Sequence, residues 1–344
     1  MCANQTGKSF WTGLALQALV AALGLVAIVG SGGGGGAGDL LGGGDILAGI
    51  GTPPSVMASV EIVPGRQTVQ AGATVVLQSR VAGISRPTYA WCRIPADSVQ
   101  CSPLPGAVGA TLTINGVSLD DDNAIYQVTV SGSETSGIAS SVLYVSSLPA
   151  VAYQDAEFLE SDWSVRTLFS PSENGATHAT SRQSAGGNPG AFVGATFDLS
   201  RNGSAVQSIF LSNDAVVAPA TQGAVYRLDF TADCLRTSQT FVPLAFALIE
   251  QSGRLYKSFA GQGCSAGQWQ NIVLGRSLGR EDFLQFDGPA CTAGQSCPDF
   301  SATAPPMRLG FVLLASLASA ELSAGQTAHF AGGLDNWSVA VWRK

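Results

Sequence analysis

Residues 110–132 read ATLTINGVSLDDDNAIYQVTVSG. Two short runs, ATLTINGV and IYQVTVSG, are rich in the Val, Ile, Thr and Tyr that suit a pleated, half-buried surface, and an acidic turn lies between them. The turn holds Asp120, Asp121 and Asp122. Consecutive residues of an extended chain point to opposite faces, so the three carboxylates do not converge on a cation. Asp122 is expected to hydrogen-bond locally, as Asp does in turns.

The same pattern extends on both sides. VMASVEIVP is a strand broken at Pro64-Gly65, and ATVVLQSRVAG alternates Val75, Leu77 and Ser79 against Val76, Gln78 and Arg80. PTYAWCRI and SSVLYVSS complete the series. Short strands at this regular spacing predict a two-sheet sandwich over residues 55–148.

Trp91, the run Leu112-Thr113-Ile114, Val117, and Asp122-Asn123-Ala124-Ile125-Tyr126 together resemble a bacterial immunoglobulin-like domain. The resemblance implies that Trp91 is buried on the third strand and that the Tyr126 hydroxyl bonds back to the backbone at a corner. The family's inter-sheet disulfide has no counterpart. Leu77 and Val128 stand where its cysteines would be, so apolar packing must substitute.

Residues 149–344 alternate again. In VYRLDF, Tyr226, Leu228 and Phe230 share one face, and Arg227 and Asp229 the other. PLAFALIEQSGRLYKSF predicts a hairpin about Gln251-Ser252-Gly253, with Leu244, Phe246 and Leu248 facing one way. RLGFVLLAS is a nearly continuous apolar run, as expected of a central strand. In the closing LDNWSVAVW, Trp337, Val339 and Val341 share a face.

Three segments carry a second resemblance. They are Asp155-Ala156-Glu157-Phe158-Leu159-Glu160-Ser161-Asp162-Trp163, Gly186-Gly187-Asn188-Pro189-Gly190-Ala191-Phe192, and Gly333-Leu334-Asp335-Asn336-Trp337-Ser338-Val339. In order and placement they resemble jelly-roll carbohydrate-binding modules and concanavalin-like lectin domains. The resemblance implies that the first and last strands pair. It also allows a structural calcium between Glu157 and Asp335; the alternative leaves both carboxylates at strand ends in solvent, and no other cofactor is expected. Sugars need exposed ring faces beside polar groups. Trp163, Tyr256 and Trp342 are the ligand-binding candidates, with Trp269 a further aromatic at a core strand start; at least half of the four are expected in the core.

The fold class expected is therefore all-β. An immunoglobulin-like β-sandwich is followed by a larger jelly-roll β-sandwich, and a hydrophobic export helix precedes both. Lys8 and the apolar run from Phe10 to Gly30 form a signal peptide or membrane anchor within residues 1–31. Ile28-Val29-Gly30-Ser31-Gly32 resembles a lipoprotein signal, but Ser31 lacks the thiol that receives lipid. Residues 32–54 are a Gly-rich linker that cannot bury a core. The mature chain is then exported, to the periplasm, the cell surface or the medium.

Seven cysteines are present, and six follow the apolar run: Cys92, Cys101, Cys234, Cys264, Cys291 and Cys297. Export favours disulfides, and the six allow about 15 pairings. Nearest neighbours give Cys92–Cys101, Cys234–Cys264 and Cys291–Cys297. The rival zinc reading lacks CxxC spacing, and the chain has two histidines.

The 344 residues carry a net charge of −7 and show no basic stripe, which argues against nucleic-acid binding and leaves membrane contact to the N-terminal segment. No GxSxG is present, and neither His178 nor His329 lies in a nucleophile motif. Glu157, Glu160, Glu250, Glu281 and Asp282 form no recognisable glycosidase arrangement. The expected role is non-enzymatic: a surface or secreted protein that binds polysaccharide or another glycan. The alternatives are adhesion to surface proteins and an unrecognised glycan hydrolase.

Overall fold

A computed structural model describes residues 58–170, 176–239, 241–286, 291, 297–318, 322–323 and 325–344. The expected export segment and linker lie outside these residues. Among the described residues no helix is long and apolar enough to cross a membrane.

The first sandwich pairs a three-stranded sheet with a five-stranded one. The smaller holds β1 (Ser59–Val63), β3 (Val75–Ala82) and β6 (Thr111–Ile114). The larger holds β2 (Arg66–Gln70), β8 (Ser136–Ser146), β7 (Ala124–Ser131), β4 (Thr88–Ile94) and β5 (Ser102–Pro103). Pro64-Gly65 marks the place where the chain leaves one sheet for the other, and β2 then runs parallel to β8. The alternation of β3 is as expected, with Val75, Leu77 and Ser79 inward and Val76, Gln78 and Arg80 outward. Leu77, Trp91 and Val128 belong to one core, so apolar side chains fill the space where the absent inter-sheet disulfide would lie. The Trp91 indole N–H donates to the Gly109 carbonyl at 2.8 Å.

One detail of the corner differs. The Tyr126 hydroxyl donates to the Asp121 carboxylate at 2.9 Å rather than to the backbone. Arg93 reaches the same Asp121 oxygen at 2.9 Å. The acidic turn supplies this acceptor because Ser118 caps a short 3-10 turn over Leu119–Asp121.

The second sandwich is larger and antiparallel. One sheet runs β10 (Trp163–Ser170), β13 (Ala205–Val217), β20 (Met307–Ser316), β15 (Leu244–Gln251), β16 (Arg254–Ser258) and β19 (Phe283–Gln285), with β17 (Gln262–Gly263) beside β15. The other runs β11 (Thr177–Gly187), β12 (Gly190–Leu199), β21 (Ala328–Arg343), β14 (Val225–Arg236) and β18 (Gln270–Leu278), with β9 (Val151–Asp155) beside β21. The first and last strands of the domain do pair, Asp155 opposite Trp337 and Val151 opposite Val341. The hairpin also forms as expected. Gln251 faces Arg254, and Ser252 and Gly253 both take positive φ, as a two-residue turn requires.

The stretch of β20 from Leu309 to Ala315 is apolar because it is buried on both sides. Leu309, Phe311 and Leu313 enter the main core between the sheets. Val312 joins Ile209, Leu211, Phe246, Leu248 and Leu255 on the outer face. In β14 the expected face is broken by a bulge between Val225 and Arg227. Leu228 and Phe230 stay in the core, but Tyr226 turns toward the first sandwich, as bulges re-aim side chains.

The two sandwiches share a polar seam. Arg66 pairs with Asp282 at 3.0 Å, the Thr68 hydroxyl donates to Ser277 Oγ at 2.8 Å, and the Ser146 hydroxyl donates to the Arg343 carbonyl at 2.6 Å. The Asp122 carboxylate accepts the Val145 amide at 2.9 Å, the Lys344 ammonium at 2.6 Å, and the Tyr226 hydroxyl. Asp122 therefore ties the domains together instead of closing only its own turn.

The three disulfides are Cys92–Cys101, Cys234–Cys264 and Cys291–Cys297. Such bonds persist in oxidising compartments.

Candidate binding cleft

β10 and β11 are the end strands of the two sheets of the larger sandwich. Between them the sandwich opens into a cleft of about 300 Å³, lined by Phe158, Trp163, Val193 and Phe210 below and by Glu160, Thr180, Ser181 and Arg182 at the rim. This volume is at the lower end for small-ligand sites.

The floor is built by Asp155. One carboxylate oxygen accepts the amides of Glu157 and Phe158 at 2.7 and 2.9 Å, and the other accepts the Trp163 indole N–H at 2.6 Å. Phe158 takes a φ of 49° at this turn and stacks on Trp163 with ring centroids 5.5 Å apart. Trp163 meets Phe311 and Trp337 edge-on from the core side. At the rim, Arg182 donates to the Glu157 carbonyl at 2.6 Å and to its carboxylate at 3.1 Å.

Trp163 therefore reaches the cleft, but it is 7% exposed and offers an edge of the floor rather than a free face for a sugar ring. Tyr256 is 3% exposed within the main core, which removes it as a contact residue. Trp342 lies elsewhere, half-buried beside the domain seam, where its indole N–H donates to Asp229 at 2.7 Å. Burial raises the Asp229 carboxyl above its ordinary value. The three candidates do not form one platform. Trp269, half-buried, lies edge-on against Phe192 on the outer face, and its N–H bonds the Gly186 carbonyl.

The two carboxylates expected to hold calcium are each engaged by other groups. The Glu157 side chain is 67% exposed and engaged by Arg182. Asp335 is fully buried, and its two oxygens accept the backbone amides of Asn188 and Asn336. Burial pushes the Asp335 carboxyl up, and the charges of Asp233 and Glu157 add to that. Among the described residues no three acidic, His or Cys side chains converge on a metal position. A hard cation needs several converging oxygens, so the residues as placed do not fit calcium. What Asp335 holds instead is the Gly187-Asn188 turn. A Cβ on Gly187 would lie 2.6 Å from an Asp335 oxygen.

Four of the five acidic residues weighed for glycosidase chemistry sit in ion pairs: Glu250 with Arg308, Glu281 with Arg227, Asp282 with Arg66 and Glu157 with Arg182; the fifth, Glu160, is exposed at the cleft rim. His329 pairs with Asp198 at 2.7 Å on the surface, and His178 lies 5.4 Å from the Phe169 ring.

No family model matches the chain, and no curated protein matches it. Among solved structures, the N-terminal four Ig domains of Dscam1 isoform 8.4 match at 25% identity and a TM-score of 0.21, over 26% of this chain and 20% of that one. The same region of Dscam1 isoform 6.9 matches at 25% identity and 0.20, with the same coverage. A marsupial T cell receptor matches at 10% identity and 0.22, over 45% of this chain and 94% of that one. The chain spans a fifth of the length of the Dscam1 chains. At such TM-scores these likenesses carry no weight, and the immunoglobulin-like architecture rests on the strand pairing and the Trp91 core.

Proposed function

We propose that this chain is a non-catalytic binding protein of an extracytoplasmic, oxidising compartment, in which the immunoglobulin-like domain holds the larger sandwich and the β10–β11 cleft takes the ligand. The cleft carries this reading: it joins an apolar floor of Phe158, Trp163, Val193 and Phe210 to a polar rim of Glu160, Thr180, Ser181 and Arg182. Binding sites combine these two features, apolar burial for affinity and a few polar groups for orientation. The three disulfides support the compartment. Adhesion to surface proteins is the reading favoured here, because Trp163 and Tyr256 lack free ring faces on which a sugar would stack. A glycan remains the second reading, supported by the hydroxyl and guanidinium groups at the rim.

The test is the labelled full chain on a glycan panel and on immobilised surface proteins, beside Ser181→Trp, which fills the cleft mouth. Saturable binding lost in Ser181→Trp supports the cleft, and the surface that binds assigns the class. Binding unchanged in Ser181→Trp moves the site elsewhere. Release of reducing ends from a bound glycan replaces binding with hydrolysis.

A further inference from the structure

β10 reads WSVRTLFS, and its register against β13 runs from Trp163 opposite Ser212 to Ser170 opposite Ala205. On its other side no described strand pairs with it. Its side chains alternate across the sheet. Trp163 and Val165 face the inner cleft, whereas Ser164 and Arg166 line a separate outer pocket of about 210 Å³ with Leu211, Glu250 and Arg308. Val165 is 50% exposed at the lip that separates the two. A sheet edge flanked by one pocket on each face is the geometry that receives an added strand. Main-chain bonds to the edge then supply affinity, and alternate side chains drop into the two pockets.

The pockets differ in what they accept. The inner one has a floor of apolar side chains. In the outer one Arg308 is occupied by Glu250 at 3.6 Å, Ser164 at 2.9 Å and Asn213 at 2.7 Å. Arg166 is exposed, and no ion pair joins it to a described residue. The opposite lip, β11, is a polar edge with a bulge between Gln183 and Gly187, a device that discourages strand pairing. β10 has a cation but no such bulge in its register.

Resting on the binding role above, we propose that the partner is a protein that presents an extended segment, which adds as a strand to the free edge of β10. One of its apolar side chains enters the inner cleft, and an acidic side chain on the opposite face meets Arg166. Both features follow from the alternation of the edge and the charge left open there.

The test uses the full chain and synthetic peptides of about ten residues, the length of a strand. The peptides alternate Thr and Val, with one Leu on the Val face and one Glu or Lys on the Thr face. The Glu peptide is expected to bind at least about tenfold more tightly than the Lys peptide, a difference near 1.4 kcal/mol, and Arg166→Glu should reverse the order. Hydrogen exchange should show amides of residues 163–169 protected on binding, and N-methylation of alternate peptide amides should abolish it. Absence of peptide binding, binding that N-methylation leaves intact, or no protection at 163–169 overturns strand addition. Protection that grows with protein concentration without peptide places a second copy of this chain there, and likewise overturns it. A ligand other than an extended peptide that still depends on Ser181 would leave the cleft standing while strand addition fails; loss of both would remove the binding role itself.

Discussion

The guanidinium carbon of Arg227 lies 4.0 Å from the ring centroid of Tyr144, although the two residues belong to different sandwiches. Tyr226 meets the same Tyr144 edge-on at 6.1 Å, and Arg227 continues into an ion pair with Glu281 at 2.6 Å. Arg227 is 8% exposed, so its charge depends on these partners. A desolvated cation over an aromatic ring is worth up to about 2 kcal/mol.

Arg227→Ala should therefore loosen the seam more than either sandwich. The wild-type chain is expected to melt in one calorimetric transition. The variant should lose about 2 kcal/mol and split into two transitions, because a polar interface leaves the domains separable once a central contact is gone. A single unshifted transition in Arg227→Ala would contradict the coupling.

Asp122 gives the seam a pH dependence. Burial pushes its carboxyl up, but Lys344, Tyr226 and the Val145 amide outweigh burial and hold it below its ordinary value of 3.8. A lowered folded value means stability that is present above the unfolded pKa of about 3.9 and lost as pH falls through the folded one. Asp229 and Asp335, raised by burial, act in the opposite sense. The informative quantity is thus the difference between wild type and Asp122→Asn in urea unfolding. That difference should be largest near neutrality and shrink toward zero below about pH 4. A difference that grows on acidification would refute the assignment.

The Cys234–Cys264 bond spans 30 residues and joins the end of β14 to the loop after β17. Cys234 is fully buried and Cys264 nearly so. On the loop-entropy account, a bridge of this span contributes about 3–4 kcal/mol. In urea unfolding the double variant Cys234→Ala/Cys264→Ala should lose about 1 kcal/mol more than Cys92→Ala/Cys101→Ala, whose bridge spans 9 residues. Equal losses for the two pairs would show that span is not what matters.

Strand positions were legible because period-two alternation is a local property. Val75 to Arg80 and Trp337 to Val341 read directly as inward or outward. The hairpin at Ser252-Gly253 was equally local, since turn chemistry fixes it. The seam was not legible. Tyr226 reaches Asp122 because of a bulge that one residue pattern cannot announce, and Asp122 looked like an ordinary turn residue. The cleft was half legible. Trp163 was singled out, but its burial depends on Phe158, Phe311 and Trp337, which come from distant parts of the chain. Val165 and Arg166 carried no signal until β10 proved to be a sheet edge. The Cys92–Cys101 pair followed sequence neighbours because the two residues flank the β4–β5 hairpin.

Asp155 decides whether the cleft has a floor. Its two oxygens hold the amides of Glu157 and Phe158 and the indole of Trp163, so one side chain sets both the turn and the ring. Asp155→Ala leaves these donors without their acceptor, at about 1–3 kcal/mol for each that stays buried. The expected result is a less stable larger sandwich in which Trp163 is no longer held in one orientation. Fluorotryptophan NMR reads this directly, with the Trp163 signal assigned through Trp163→Phe: the signal should broaden or split in Asp155→Ala, and stay single in Asp155→Asn if the amide oxygen still accepts the indole N–H. Because Phe158 and Trp163 line the cleft together, cleft-dependent binding should fall in Asp155→Ala and recover in part in Asp155→Asn. A sharp Trp163 signal with unchanged binding in Asp155→Ala would mean that Phe311 and Trp337 hold the ring on their own, and that the floor owes its shape to core packing instead of the half-buried carboxylate.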